Sequence, residues 1–192
     1  MRIDEQLGSD IEDTVKRVLS EDIGTGDLTA ALIAEDSIID ATIITRDAMT
    51  MAGRPWVDAI YEQLDPQVIL DWQINDGDTC AADSVICQLR GSARSILSGE
   101  RAALNMLQTL SATATITAVY VKAIADTDCQ ILDTRKTIPG LRWSGTGRAP
   151  TTVPIESRSA FPGATPVPAK QQLHSASMQS PHSKFVSGFA VI

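Results

Sequence analysis

Five consecutive residues, Asp133-Thr134-Arg135-Lys136-Thr137, hold the densest set of chemically useful side chains in the 192-residue chain. A guanidinium beside an ammonium, backed by two hydroxyls, suits an anion. Arginine grips a carboxylate or phosphate through two parallel hydrogen bonds, and lysine adds a compact charge. The segment continues CQILD at 129–133, whose apolar run predicts a short strand, and strand C-termini are where barrels and open α/β sheets present ligands. A solvated basic loop is the plain alternative. A second set, Ser98-Gly99-Glu100-Arg101, is predicted to open a helix that continues Ala102-Ala103-Leu104-Asn105. Arg101 and Asn105 are four apart and share a face. A cation so early in a helix opposes the macrodipole unless an anion or a carboxylate compensates it. A pair with Glu100 or another carboxylate, within or between subunits, is the competing reading.

Other schemes fail on residue types. Residues 1–142 contain no histidine, which excludes a Ser-His or Cys-His nucleophile system within them. Gly24-Thr25-Gly26-Asp27 lacks the lysine and the preceding strand of a phosphate-cradling loop and reads as a turn. Asp76 and Asp78 flank Gly77 as a hairpin turn does, without the terminal Glu of a calcium loop. No metal ligands are assigned. Cys80, Cys87 and Cys129 have neither zinc nor redox spacing and are expected to be reduced thiols packed as small apolar residues.

A net charge of -8 argues against a nucleic-acid partner, which needs a basic stripe to displace counterions. An anionic substrate must then be held by a local cationic cluster working against the global field. Hydrophobic residues at 43% and charged residues at 21% are those of a soluble globular protein, and no apolar run approaches the roughly 20 residues that span a bilayer. No membrane partner is expected. The start, MRIDEQLGSD, is acidic and has no apolar core of a signal peptide, so a cytoplasmic location is expected.

The elements that must position these groups follow from periodicity. Ser9 and Glu12 match a capping box, and Ile11, Val15, Val18 and Leu19 then share a face, predicting a helix over about 10–20. The β-branched run 37–45 predicts a strand. Pro55 then opens a helix carrying Trp56, Ile60 and Leu64. VILDWQI and SVICQL predict two strands around the NDGDT turn, closed by Gly91. From Ser98 one helical face is followed by a second, and Ser111 with Thr113, Thr115 and Thr117 predicts a break or bend between them. Beyond Arg142 the composition changes. From Trp143 to Ile192 there is one acidic residue, Glu156, against 24 in the whole chain, with six of the nine prolines, eight serines and both histidines. No hydrophobic period there lasts a helix or a strand, so the segment reads as disordered.

Three segments together carry a family resemblance. EDIGTGDLTA, GERAALNMLQTLSATAT and LDTRKTIPGLR resemble, in order and spacing, the motifs of the quinolinate phosphoribosyltransferases over about residues 10–142. The resemblance implies an α+β fold. An N-terminal helix at 1–21 precedes an open α/β sandwich at 22–110, then the first helix and strand of a truncated α/β barrel at 111–142, with an unstructured, non-family tail at 143–192. The implied reaction is attack of the quinolinate pyridine nitrogen on C1 of phosphoribosyl pyrophosphate, with Mg²⁺ assisting and pyrophosphate and CO2 leaving. By the same resemblance Arg101, Thr134, Arg135 and Lys136 contact substrate, no residue is singled out as catalytic, and the protein is a homodimer or higher homo-oligomer in which Arg101 serves the partner subunit's site.

The chain also departs from that pattern. After PGLR the family's Asn-His-Arg segment, its following lysine and the later barrel acids are missing. Read from the last base of each codon, Pro150-Thr151-Thr152-Val153 can encode Asn-His-Arg through CCA, ACC, ACC and GTN. A deletion and frame change just after Arg142 is therefore the expectation, together with loss of activity in the 192-residue chain. A related phosphoribosyltransferase acting on another base, and a non-catalytic binding or dimerisation module, are the alternatives.

Overall fold

The computed structural model describes residues 3–24, 26, 27, 30–127, 129, 131 and 189–191. Helix α1, Ile3–Ile23, begins well before the Ser9–Glu12 box. The Asp-Glu-Gln-Leu stretch ahead of Ser9 continues the helix, so Ser9 is interior to it and not its cap. Ile11, Val15 and Leu19 are buried, one side chain per turn on a single stripe. A 3-10 turn at Ala30–Leu32 leads into β1, Ile38–Thr45.

Strand β2, Met49–Thr50, precedes α2, Arg54–Leu64. Gly53 caps α2 in the left-handed region at φ 118, with Pro55 in its first turn, where a missing N–H costs nothing. Strands β3, Ile69–Trp72, β4, Thr79–Cys80, and β5, Val85–Ser92, follow. The β3 and β5 segments are the expected hairpin pair, antiparallel from Ile69↔Arg90 to Trp72↔Cys87. Their connection is more than a turn, because β4 leaves it to pair with β2 through Met49↔Cys80. Gly91 does not close β5. The strand runs through it and passes at Ser92 directly into α3, Ala93–Ala123, with the Ser92 hydroxyl accepting from the Ser95 amide at 3.4 Å.

The principal sheet has the order β3-β5-β1-β6. Alternating burial of Ala41, Ile43 and Thr45 along β1 marks one covered face. The β1–β5 register shifts between Ile43 and Ile44, a bulge that lets the consecutive Ile86 and Cys87 both be buried. The three helices meet the sheet in one core that includes Trp56, Ile60, Tyr61, Ile96, Leu107 and Leu110. This is the open α/β sandwich, and no barrel closes among the described residues.

No break interrupts α3, which is continuous from Ala93 to Ala123. The three threonines turn their hydroxyls back along the helix, Thr113 to the Thr109 carbonyl at 3.0 Å, Thr115 to Ser111 at 2.7 Å and Thr117 to Thr113 at 2.8 Å. Each bond satisfies the polar group inside the helix. Ser111 is buried against β2's exit, accepting from the Ala52 amide at 3.0 Å and donating to the Ala52 carbonyl at 3.0 Å. Thr115 accepts from the Thr50 amide at 2.9 Å. Ser111 and Thr115, read as helix breakers, therefore stitch α3 to the neighbouring backbone.

Of the segment read as disordered, residues 143–188 lie outside the described residues, and the described part differs from that reading. Phe189–Val191 forms β6, antiparallel to β1 with Ile43↔Val191, Ile44↔Ala190 and Thr45↔Phe189. Three residues are too short a stretch for any hydrophobic period to reveal. Among the described residues no helix is long and apolar enough to cross a membrane.

Candidate functional site

The C-terminus of α1 and the middle of α3 face each other across a cavity of about 550 Å³. Its α1 side is made by Asp22, Gly26 and Asp27. The glycines there do what the turn reading requires. Gly24, at φ 55, and Gly26 close the helix end, their amides donating to the carbonyls of Ser20 at 3.2 Å and Ile23 at 3.0 Å. Asp27 then acts twice. One carboxylate oxygen accepts from the Ala30 amide at 3.0 Å, capping the 3-10 turn, and the other accepts from the Ser98 hydroxyl at 2.8 Å.

The α3 side presents Ser98, Glu100, Arg101, Leu104 and Asn105 to the cavity. Arg101 and Asn105 thus do share a working face, as their spacing predicts. The expected conflict with the macrodipole does not arise, because α3 begins at Ala93 and Arg101 lies beyond its first two turns. The compensating carboxylate is Asp22, not Glu100. Arg101 Nη1 donates to Asp22 Oδ1 at 2.9 Å, with the arginine side chain 75% exposed and the aspartate 20%.

Charge at this cavity is unbalanced. Asp22, Asp27 and Glu100 line it against one guanidinium, Arg101. A dianion gains little by entering alone, so the lining calls for further cations from outside it. Thr134, Arg135 and Lys136, the residues expected to supply them, lie outside the described residues. Other described arginines are committed elsewhere. Arg54 stacks 5.5 Å from the Trp72 ring centroid, pairs with Asp58 at 3.6 Å and donates to Asn75 at 3.0 Å. Arg90 pairs with Asp40 at 3.0 Å, and Arg94 donates to the Ile33 carbonyl at 2.9 Å.

The Asp76 carboxylate accepts the Arg54 amide at 3.1 Å at the start of α2, so the NDGDT turn caps a helix as well as joining strands. Burial raises its pKa, with the Arg54 and Gly53 amides acting against that. Cys80 and Cys87 are buried free thiols, as expected, whereas Cys129 is free and exposed. Burial pushes the Cys87 thiol from 9.0 up to about 12, helped by the Asp58 and Asp71 carboxylates. Among the described residues no group of three or more His, Cys, Asp or Glu is placed to hold a metal ion. The Mg²⁺ implied by resemblance finds no cage of protein ligands among them.

Two residues of the site escaped the sequence reading. Asp22 had one visible signal, a carboxylate in the last turn of a helix where the macrodipole disfavours it. Asp27 was seen only as a turn residue.

Comparison with known proteins gives a concordant picture. The description "Quinolinate phosphoribosyl transferase, N-terminal domain" matches residues 27–111, and its C-terminal counterpart matches residues 113–147. The second match ends slightly beyond Arg142, where the composition changes. The chain is 41% identical over 122 residues to a probable carboxylating nicotinate-nucleotide pyrophosphorylase of Bacillus subtilis, covering 64% of this chain and 42% of that one. A protein of the same description from Synechocystis is 36% identical over 132 residues, covering 69% and 45%. The solved nicotinate-nucleotide pyrophosphorylase of Francisella tularensis superposes with a TM-score of 0.70 at 38% identity, covering 76% of this chain and 52% of that one. The chain spans about half the length of the relatives it matches.

Proposed function

The chain belongs to the quinolinate phosphoribosyltransferase family, and from that premise we propose that it contributes the N-terminal part of a site transferring phosphoribose from phosphoribosyl pyrophosphate to quinolinate. The products are nicotinate mononucleotide, pyrophosphate and CO2, a step of NAD biosynthesis. The observation that carries the reading is Arg101, whose side chain lines the cavity 75% exposed and, among the described residues, pairs with one carboxylate, Asp22.

The chemistry asks for cations held in place. Quinolinate brings two carboxylates and phosphoribosyl pyrophosphate brings several phosphate charges. The transition state at C1 has oxocarbenium character, so fixed charges and alignment of the pyridine nitrogen matter more than a nucleophile. Arg101 holds a quinolinate carboxylate. Thr134, Arg135 and Lys136 supply the remaining positive and hydroxyl contacts, and Mg²⁺ arrives with the pyrophosphate group. The acidic lining around Arg101 favours its serving a site completed by a second copy of the chain, which makes the working form a homodimer or larger homo-oligomer.

The 192 residues alone hold part of such a site and are expected to show no turnover. A single positioned transition-state donor is worth about 3 kcal/mol, so several missing groups cost orders of magnitude in rate. The test measures nicotinate mononucleotide formation from quinolinate, phosphoribosyl pyrophosphate and Mg²⁺. The chain as given is compared with one whose reading frame is restored after Arg142, and the nucleotide sequence after the Arg142 codon decides whether that frame change occurred. Turnover in the restored chain, lost on Arg101→Ala or Arg135→Ala, supports the reading. Clear turnover by the chain as given would make its tail catalytic and overturn the inactivity. Turnover of another base and not quinolinate would move the assignment to a related transferase.

A further inference from the structure

We propose that Asp22 is a positioning residue for Arg101, holding the guanidinium in a fixed pose so that its free edge can take a ligand carboxylate. The inference rests on the reading of Arg101 as the quinolinate contact and goes beyond it to the residue that orients it.

The placement of Asp22 argues against a purely local role. It lies in the last turn of α1, beside Glu21 and with no basic residue in that turn. Carboxylates at a helix C-terminus oppose the macrodipole, so helix stability by itself favours an uncharged residue there. Its side chain is nonetheless mostly buried, at 20% exposure, and points across the cavity to Arg101 Nη1 at 2.9 Å. Its surroundings are themselves fixed. The glycine turn that follows is pinned to α3 one helical turn before Arg101 by the Asp27–Ser98 hydrogen bond at 2.8 Å. The anchor is therefore the rigid member of the pair, and the exposed arginine is the one being placed.

The geometry also leaves the arginine usable. A guanidinium has five N–H donors in a planar fork, and Asp22 takes Nη1 through a single oxygen. The remaining edge can still grip a carboxylate through two parallel bonds. An unheld arginine loses rotamer freedom when it binds, up to roughly the full side-chain entropy of its class, and Asp22 removes part of that loss beforehand. Coulomb attraction alone gives the opposite expectation. Deleting a carboxylate close to the site would make it more attractive to a dianion. The sign of the Asp22→Asn effect therefore separates positioning from simple charge balance.

The experiment uses the whole 192-residue chain, labelled with ¹⁵N, with quinolinate as the probe. The arginine Nε–Hε resonance of Arg101, assigned by its disappearance in Arg101→Ala, is expected to be sharp and slowly exchanging. It should broaden or collapse in Asp22→Asn and recover in Asp22→Glu. Quinolinate affinity by calorimetry should fall about three- to ten-fold in Asp22→Asn, from the lost preordering, and return toward the parent in Asp22→Glu. Asp40→Asn, which breaks the distant exposed pair with Arg90, should change neither readout. An Arg101 resonance unchanged by Asp22→Asn overturns the proposal whatever the affinities are. Tighter or unchanged quinolinate binding in Asp22→Asn, with Arg101→Ala still abolishing it, also overturns it in favour of charge balance. If the parent binds no quinolinate while the Arg101 resonance collapses in Asp22→Asn and recovers in Asp22→Glu, the functional reading fails for this chain and the positioning of Arg101 by Asp22 stands.

Discussion

The ring edge of Tyr61 occupies the space where a side chain at Gly99 would begin. A Cβ placed on Gly99 comes within 2.7 Å of Tyr61 Cε1 and 3.0 Å of Leu64 Cδ1. The Tyr61 hydroxyl, on the same side, donates to the Ile96 carbonyl at 3.2 Å. This close approach of α2 to α3 fixes the rotation of α3, and with it the outward direction of Arg101 two residues on. Gly99→Ala gains about 1 kcal/mol of helix propensity but overpacks a tight contact at a typical cost of about 1–3 kcal/mol. The expected net is a loss of up to about 2 kcal/mol in urea unfolding. A stabilised variant would show that Tyr61 moves away freely.

Ser111 offers a second test of how α3 is held. Its buried hydroxyl both accepts from and donates to the Ala52 backbone, so Ser111→Ala strands two main-chain groups away from water. Leaving buried partners unsatisfied costs about 1–3 kcal/mol. Equilibrium unfolding should show a loss in that range, whereas Thr113→Ala, whose hydroxyl bonds within its own exposed helix turn, should change stability by less than about 0.5 kcal/mol.

These two positions show where sequence reasoning succeeds and where it stops. The β-branched run at 37–45 and Pro55 announce β1 and α2 because strand propensity and the fixed proline φ act locally. Ser111 and its neighbouring threonines suggest a break or bend by the same local logic. The helix nonetheless runs on unbroken, and the Ser111 and Thr115 hydroxyls find partners on Ala52 and Thr50, far away in the chain. Arg101 was legible through its spacing to Asn105. Its partner Asp22 was not, since the pair is separated by 79 residues and nothing periodic links them. The basic turn with Arg135 and Lys136 was the most visible chemical signal, and it lies outside the described residues.

Buried ionisable groups predict a weakening at high pH. Burial raises the Cys87 thiol from 9.0 to about 12. It also raises the Tyr61 phenol above its usual 10.0, with the Glu100 and Cys87 charges adding to the effect. Both folded-state values lie above the unfolded ones, so the folded chain holds protons that the unfolded chain releases. Their contribution is fully present below about pH 9 and is lost as pH rises toward 12, with a slope of at most about 1.4 kcal/mol per pH unit for each group. Unfolding free energies measured between pH 8 and 11 should fall, and Cys87→Ala should make that fall shallower. A flat profile in the parent would contradict the burial of both groups. In the same folded protein at pH 8, a thiol reagent should modify exposed Cys129 and leave Cys80 and Cys87 unmodified until unfolding.

The last expectation concerns the edge of the principal sheet. Strand β1 pairs on one side with β5 along most of its length and on the other with the three residues of β6. An uncovered strand edge carries a row of unpaired N–H and C=O groups, a template for another chain. Deleting residues 186–192 removes that cover from Ile43 to Thr45 while leaving the helices and the β5 pairing intact. The shortened chain should keep its cooperative unfolding, because the β1–β5 and β3–β5 pairings and the described core remain in place. The amide of Ile44, which alternation turns toward β6, should exchange with deuterium faster, whereas that of Thr45 is held by the Ser84 carbonyl at 3.0 Å and should not. Light scattering should show greater self-association with concentration than in the parent. Unchanged exchange at Ile44 would mean that β6 contributes no protection, and that the β1 edge is managed by the chain's charge alone.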